Sequence, residues 1–352
     1  MLTFGSGNLL EAEVEALVNT VNTVGVAGKG IALQFRQAYP ANFKAYARAC
    51  QRGEVVPGKM FVYDDGRMGS GRYVINFPTK RHWRAGSRLG DIESGLVDLV
   101  RTLRDLGVGS IAIPPLGCGN GGLDWGDVLP LIEQAMAELP EVRVVVYPPE
   151  GAPDPDTMIV RTPRPSLTAN RAAVLALFGR YLLPDYRLTA LEAQKLTYFL
   201  QVSGQPLRLD FTKGKYGPYA ENLNYALQGL EGHFIRGYGD RTQTPRICLL
   251  PGTLEKVDHA LSADPDTCAR VGRVARLIEG FETPYGLELL STVHWAAVET
   301  GDRDAAELGL YVRNWSPRKG ALFGTTHIRA ALDHLDVLDF LPVRRDPPVR
   351  GE

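Results

Sequence analysis

The chain has 352 residues, of which 44% are hydrophobic and 22% charged, and its formal net charge at pH 7 is −1. That length and apolar content suit two domains of ordinary size, while the near-neutral balance excludes nucleic-acid binding through net charge and leaves only local patches for it. No apolar run approaches bilayer-spanning length and the N-terminus lacks the basic and apolar regions of a secretory signal, so a cytoplasmic protein with no membrane partner is expected.

In chain order, runs rich in Val, Ile and Phe predict strands at residues 17–21, 59–63, 73–77, 110–113 and 143–146. Between them, helices are predicted at 31–38, 92–106 and 128–139, ended by Tyr39-Pro40, Gly107 and Pro140. Such alternation predicts an α/β domain over residues 1–149, a mixed sheet between helices. A proline-rich stretch at 150–168 reads as a stiff linker. From Ala169 to residue 341 the pattern predicts a second, mainly helical α+β domain. It opens on an amphipathic helix at 169–183, and Thr189-Ala190-Leu191-Glu192 reads as a capping box starting a helix through Val202. Short strands are expected at 207–211 and 247–250. Further helices are expected at 221–230, 253–261, 267–279, 287–300 and 326–335, before a loose tail at 342–352.

Two glycine-rich loops lie between strand and helix. The first follows Val18-Asn19-Thr20-Val21-Asn22 and contains Thr23, Gly25, Gly28, Lys29, Gly30 and Ile31. The second contains Pro115, Leu116, Gly117, Cys118, Gly119, Asn120, Gly121 and Gly122. Glycines let backbone N–H groups approach an anion without a Cβ in the way, and the following helix adds unpaired N–H groups and the positive end of its dipole. One such loop alone reads best as a tight turn. Two of them at the carboxyl ends of strands of one sheet predict a shared ligand carrying a diphosphate.

The cysteines Cys50, Cys118, Cys248 and Cys268 form no CxxC pair and stand at no metal-ligand spacing with histidine, so free thiols, no metal and no cofactor are expected. The run Lys80-Arg81-His82-Trp83-Arg84, with Arg88 beyond it, fits a single-stranded nucleic acid: Trp83 to stack on a base, Arg81, Arg84 and Arg88 to meet phosphates. A solvated basic loop with a packed tryptophan fits it equally. No carboxylate pair of the kind used by many glycosidases is evident at either loop, apart from the single Asp124.

Gly7-Asn8-Leu9, Val18 to Asn22 and the two loops together make residues 1–149 resemble a macrodomain, the ADP-ribose-binding module. More narrowly, Gly28-Lys29-Gly30-Ile31-Ala32, Asn76-Phe77-Pro78-Thr79-Lys80 and Leu116-Gly117-Cys118-Gly119, with Leu123 and Trp125, resemble the lysine-dependent ADP-ribose glycohydrolases. Within that branch the likeness is to the DarG family, antitoxins that reverse DNA ADP-ribosylation by DarT-like toxins. The resemblance implies that Gly7, Asn8 and Leu9 meet the adenine, with Asn8 where macrodomains usually carry an aspartate. It implies that residues 25–31 and 116–122 wrap the diphosphate and distal ribose, and that the catalytic residues are Lys80 and Asn22, the latter bonding the distal ribose hydroxyls. The branch acting on protein carboxylates carries an aspartate in the second loop where this chain has Gly121 or Gly122, a departure that weakens a protein-glutamate substrate. In place of that partner, the substrate diphosphate or a water is expected to serve Lys80.

The implied substrate is single-stranded DNA bearing ADP-ribose on thymine or guanine. A hydrolase of ADP-ribosylated protein or of small ADP-ribose derivatives, and a noncatalytic ADP-ribose reader, are the alternatives. In the second half, Leu191-Glu192-Ala193-Gln194-Lys195-Leu196-Thr197-Tyr198-Phe199-Leu200 and Phe211-Thr212-Lys213-Gly214-Lys215-Tyr216-Gly217-Pro218-Tyr219 resemble a Panacea-type toxin-neutralising domain, which implies the cognate toxin as partner. Leu191, Leu196, Phe199 and Leu200 read as core, and Tyr216 to Tyr219 as a turn before a helix. Glu279, Glu282, Asp302, Asp304 and Glu307 are candidates to imitate DNA phosphates, against the simpler reading of a solvated face. A winged-helix DNA binder is the rival reading of this half.

Overall fold

The computed structural model describes residues 1–66, 72–151, 153–183 and 185–342. The expected tail, beyond Pro342, lies outside the described residues. Two compact units divide the chain: Met1–Pro163 together with Gly239–Gln243, and Arg164–Tyr238 together with Thr244–Glu352. The proline-rich stretch expected as a linker spans that division.

The first unit is a six-stranded sheet in the order β1-β6-β5-β2-β4-β3, built from β1 (Leu2–Phe4), β2 (Ala16–Asn22), β3 (Phe61–Asp64), β4 (Tyr73–Lys80), β5 (Ser110–Ile113) and β6 (Arg143–Val146). Every neighbouring pair is parallel except β3 with β4, so the expected mixed sheet is present. In β2, six of seven residues are buried, Asn19 and Asn22 among them, as befits a strand covered on both faces. Val18, Ile75 and Phe77 pack with residues of α3 (Leu89–Leu106) and α4 (Trp125–Met136), while Leu17 and Val74 pack with Phe35 and Ala38 of α1 (Gly30–Ala38). The two-residue period of the strands thus divides the core between two helical layers.

A helix that the sequence reading did not anticipate, α2 (Pro40–Gln51), follows α1 directly. Tyr39-Pro40 ends α1 as expected, and Pro40 then occupies the first turn of α2, where its missing N–H costs nothing.

The second unit comprises α5 (Ala169–Tyr181), α6 (Ala190–Val202), the hairpin β7 (Phe211–Gly214) and β8 (Gly217–Ala220), α7 (Glu221–Leu230), the short pair β9 (Ile235–Arg236) and β10 (Cys248–Leu249), and α8 (Thr253–Leu261) through α9 (Pro265–Ile278), α10 (Pro284–Thr300), α11 (Ala305–Trp315), α12 (Pro317–Leu322) and α13 (Thr325–Val337). The capping box at Thr189 and Glu192 forms as read. Helix α5 is not amphipathic: Ala172, Ala173, Val174, Leu175, Leu177 and Phe178 are all buried, because α6, α8 and α9 pack against it.

The strand expected at 207–211 begins only at Phe211. Gln201 explains the difference, since its side chain donates to Leu209 O at 2.9 Å and accepts from Leu209 N at 2.8 Å, taking both backbone groups that a ladder would use. Tyr216 to Tyr219 is correspondingly more than a turn, because Gly217 to Ala220 pair antiparallel with β7 before α7 begins. Helices α11 and α12 were also unanticipated, capped by Asp304 and Ser316 respectively.

Candidate active site

Strands β2 and β4 bring the two expected catalytic residues together. Their parallel register shifts at Val21/Asn22, so that Asn22 pairs with Lys80 at the carboxyl ends of both strands. Thr23 continues the pairing, its N–H donating to Lys80 O at 3.0 Å and its hydroxyl to Arg81 O at 2.6 Å.

Asn22 organises the first loop. Its Oδ1 accepts from the N–H groups of Val24 (3.0 Å) and Val26 (3.3 Å), and its Nδ2 donates to Val26 O at 2.6 Å. Nδ2 keeps its second N–H for a ribose hydroxyl. The Asn22 carbonyl in turn accepts from the buried Tyr46 hydroxyl at 2.5 Å, and burial pushes that phenol well above its ordinary pKa. Tyr46 stands on α2, which explains why sequence reasoning missed it: no local signal in the chain marks the helix as a support for the loop.

The two loops offer donors. Among the described residues, the N–H groups of Gly28 and Lys29 in the first, and of Gly119, Asn120 and Gly121 in the second, have no protein acceptor. The second loop folds on itself through Cys118 N–H to Pro115 O (3.1 Å), Gly122 N–H to Gly119 O (3.1 Å) and Leu123 N–H to Gly117 O (3.1 Å), with Leu116 fully buried beneath it. Asp124 caps α4 by accepting from Gly126 N–H at 2.7 Å, and burial, with a smaller contribution from the Asp124 charge, raises the Cys118 thiol to about 11. Gly121 is sterically required: a Cβ there would lie 2.2 Å from Gly117 O and 2.3 Å from the buried Ser87 Oγ.

Lys80 is half-buried, and its Nζ donates to the carbonyl of Asn120 in the second loop. Burial lowers its pKa from the ordinary lysine value. Among the described residues no carboxylate pairs with it, consistent with the glycines at the position where an aspartate was considered.

Gly7 and Asn8 precede a single 3-10 turn at Leu9–Glu11. Asn8 caps it, its Oδ1 accepting from Leu10 N–H at 3.0 Å, while its Nδ2 is buried with no hydrogen-bond partner. Its oxygen is thus already engaged within the turn, while its amino group keeps donors to spare. Of the basic run, Arg81 is tied to Asp91 by two bonds (2.9 and 3.2 Å). Trp83 is 44% exposed, with the His82 ring centroid 5.6 Å from its own and the Arg84 guanidinium 4.5 Å above it, a stacked surface open to solvent.

In the second unit, Leu196, Phe199 and Leu200 lie in the core as read, whereas Leu191, in the first turn of α6, is only half-buried. On the same helix, Lys195 is 1% exposed and donates to Pro218 O at 2.7 Å. Burial, and the neighbouring Lys319, lower its pKa to about 7. Lys319 donates to Glu288 at 2.7 Å, and Arg318 grips the same carboxylate at 2.7 and 3.1 Å. This cluster stands behind the β7–β8 hairpin. Of the acidic residues considered as phosphate mimics, Asp304 is spent on the N–H groups of Ala306 and Glu307, and Asp302 on Asp304 N–H.

The Macro domain family model matches residues 18–132. The chain is 52% identical over 335 residues to a Thermus aquaticus protein named DNA ADP-ribosyl glycohydrolase, covering 95% of this chain and 93% of that one. It is 46% identical over 351 residues to a Mycobacterium tuberculosis protein of the same name, covering 95% and 99%. A Thermosipho africanus protein named DNA ADP-ribosyl transferase-DNA ADP-ribosyl glycohydrolase fusion protein is 34% identical over 173 residues, 45% of this chain and 44% of that one. No helix among the described residues is long and apolar enough to cross a membrane.

Proposed function

Because the chain belongs to the DNA ADP-ribosyl glycohydrolase (DarG) family, with a macrodomain as its first unit, we propose that it releases ADP-ribose from thymine or guanine of single-stranded DNA, using Lys80. The observation that carries this reading is the position of Lys80: at the carboxyl end of β4, bonded to the second loop, between two backbone arrays of unpaired N–H donors. Those arrays suit a diphosphate, and Lys80 then stands at the distal ribose.

Cleavage of the N-glycosidic bond needs stabilisation of an oxocarbenium-like anomeric carbon and of the departing base. Burial lowers the Lys80 pKa and so favours the neutral amine, whose attack on that carbon breaks the bond to the base, which leaves protonated, before water hydrolyses the lysine adduct to free ADP-ribose. In its protonated form the same group serves the leaving base. Trp83 with Arg84 provides a stacking surface beside the cleft for the DNA strand.

The second unit is assigned to the cognate DNA ADP-ribosyltransferase toxin. Support comes from the relative whose name joins the transferase and glycohydrolase in one protein. The test has two arms. Single-stranded oligonucleotides ADP-ribosylated on thymine or on guanine are incubated with wild type and Lys80→Ala, and free ADP-ribose and restored base are measured. Release lost in the variant supports the reading; no release from either DNA, despite ADP-ribose binding, moves the substrate to protein or makes the domain a reader. In the second arm, the Lys80→Ala chain is mixed with the transferase and with DNA alone. Suppression of transferase activity without hydrolysis supports toxin binding, whereas binding to DNA alone favours a winged-helix role.

A further inference from the structure

The first unit is completed by five residues that arrive from much later in the chain, Gly239–Gln243. Asp240 is 2% exposed, and its backbone carbonyl accepts the N–H of Gly30, the first residue of α1, at 3.0 Å. Its carboxylate accepts from Gln34 Nε2 at 2.7 Å through one oxygen, and from the Thr242 N–H (3.0 Å) and hydroxyl (2.5 Å) through the other. Gln34 is itself buried on α1. On its other side the segment rests on the stretch after β6: a Cβ on Gly239 would meet Pro155 at 3.1 Å.

Gly30 is where this matters for the cleft. Its φ of +58° is left-handed, and a Cβ there would lie 3.1 Å from the Nδ2 of Asn120. One side of Gly30 is therefore held by Asp240 and the other faces the second loop. The carbonyl of that same Asn120 accepts from Lys80. The contacts run from Asp240 through Gly30 and Asn120 to Lys80, so the position of Asp240 sets the spacing between the two loops at the lysine's end of the cleft.

We propose that Asp240 and Gln34 are positioning residues for ADP-ribose binding: they pin the N-terminus of α1 from outside, and so hold the first loop at the distance from Asn120 that the diphosphate requires. The inference rests on the reading of the cleft as an ADP-ribose site. Neither residue touches the ligand, and the glycosidic chemistry stays with Lys80. Asp240→Ala and Gln34→Ala in the full chain each raise the Kd for ADP-ribose and the KM for ADP-ribosylated oligonucleotide by roughly tenfold, the worth of one charge-assisted hydrogen bond, with kcat changed much less. The double variant is no worse than either single one, since both break one contact. Asp240→Asn retains an acceptor for Gln34 and recovers most of the affinity.

Titration calorimetry with ADP-ribose and steady-state release assays read these effects, alongside thermal unfolding of each variant. Wild-type Kd in Asp240→Ala and Gln34→Ala overturns the proposal, as does a fall in kcat at unchanged KM. Additive losses in the double variant, or failure of Asp240→Asn to recover, also overturn it by showing general structural damage. Failure of the cleft reading looks different: no wild-type ADP-ribose binding at all, or undiminished release by Lys80→Ala.

Discussion

The Nζ of Lys80 donates to the backbone carbonyl of Asn120, so the end of β4 and the second glycine loop meet at the residue assigned to chemistry. The contact orients the amine and is one that a ribose hydroxyl can replace. It also ties the lysine to a loop whose own N–H groups are available to an anion.

Replacing Lys80 by alanine therefore removes turnover while sparing the fold. A loss of at least about a hundredfold in kcat is expected, the usual scale for a group acting on the reacting bond, with ADP-ribose affinity within a few-fold of wild type. Single-turnover release from modified oligonucleotide reads the first and calorimetry the second. Substantial residual turnover in a folded Lys80→Ala protein would refute the catalytic assignment.

Gly121→Ala should abolish ADP-ribose binding. The added Cβ must displace either the Gly117 carbonyl or Ser87 Oγ, each little more than 2 Å away, and both belong to the packing of the second loop. The sheet lies below the loop, so circular dichroism should remain near wild type. Unaltered affinity would mean that the second loop does not hold the ligand.

Tyr46→Phe leaves the buried Asn22 carbonyl without its 2.5 Å donor. The expected cost is about 1–2 kcal/mol of stability, together with a higher KM because the first loop hangs from Asn22. Urea unfolding and steady-state kinetics measure the two. A stability loss with no change in KM would show that Asn22 organises the loop without Tyr46.

The buried cluster of the second unit predicts a pH dependence. Lys195 has a pKa near 7 when folded, against the ordinary 10.5 when unfolded. Between pH 7 and 9 the unfolded chain binds more protons than the folded one, so this group makes stability rise with pH, by at most about 1.4 kcal/mol per pH unit. Urea midpoints at pH 7 and 9 for wild type and Lys195→Met test this: the variant should have the shallower rise, and equal slopes would count against it. Glu288→Ala is the companion experiment, leaving Lys319 and Arg318 without their carboxylate at a cost of roughly 3–5 kcal/mol.

Much of the first unit was legible in the chain because it depends on near neighbours. The apolar runs of β2 and β4 and the glycine spacing of both loops are local patterns, and 110–113 and 143–146 are strands as read, whereas β4 continues through Pro78 to Lys80, past its expected end at Phe77. Local reading failed where one side chain replaced a backbone partner, as Gln201 does for Leu209, or where proline opened a helix, as Pro40 does.

The sequence by itself determined which residues have the chemistry: two runs of glycines able to bare their N–H groups, and one lysine shortly after a strand. Only the tertiary structure decided how those groups are spent. It commits the Asn22 amide to its own loop, ties Arg81 to Asp91, and brings Asp240 to Gln34 across 206 positions of chain. The physical reason is that a hydrogen bond depends on distance in space, whereas periodicity and spacing report only distance along the chain.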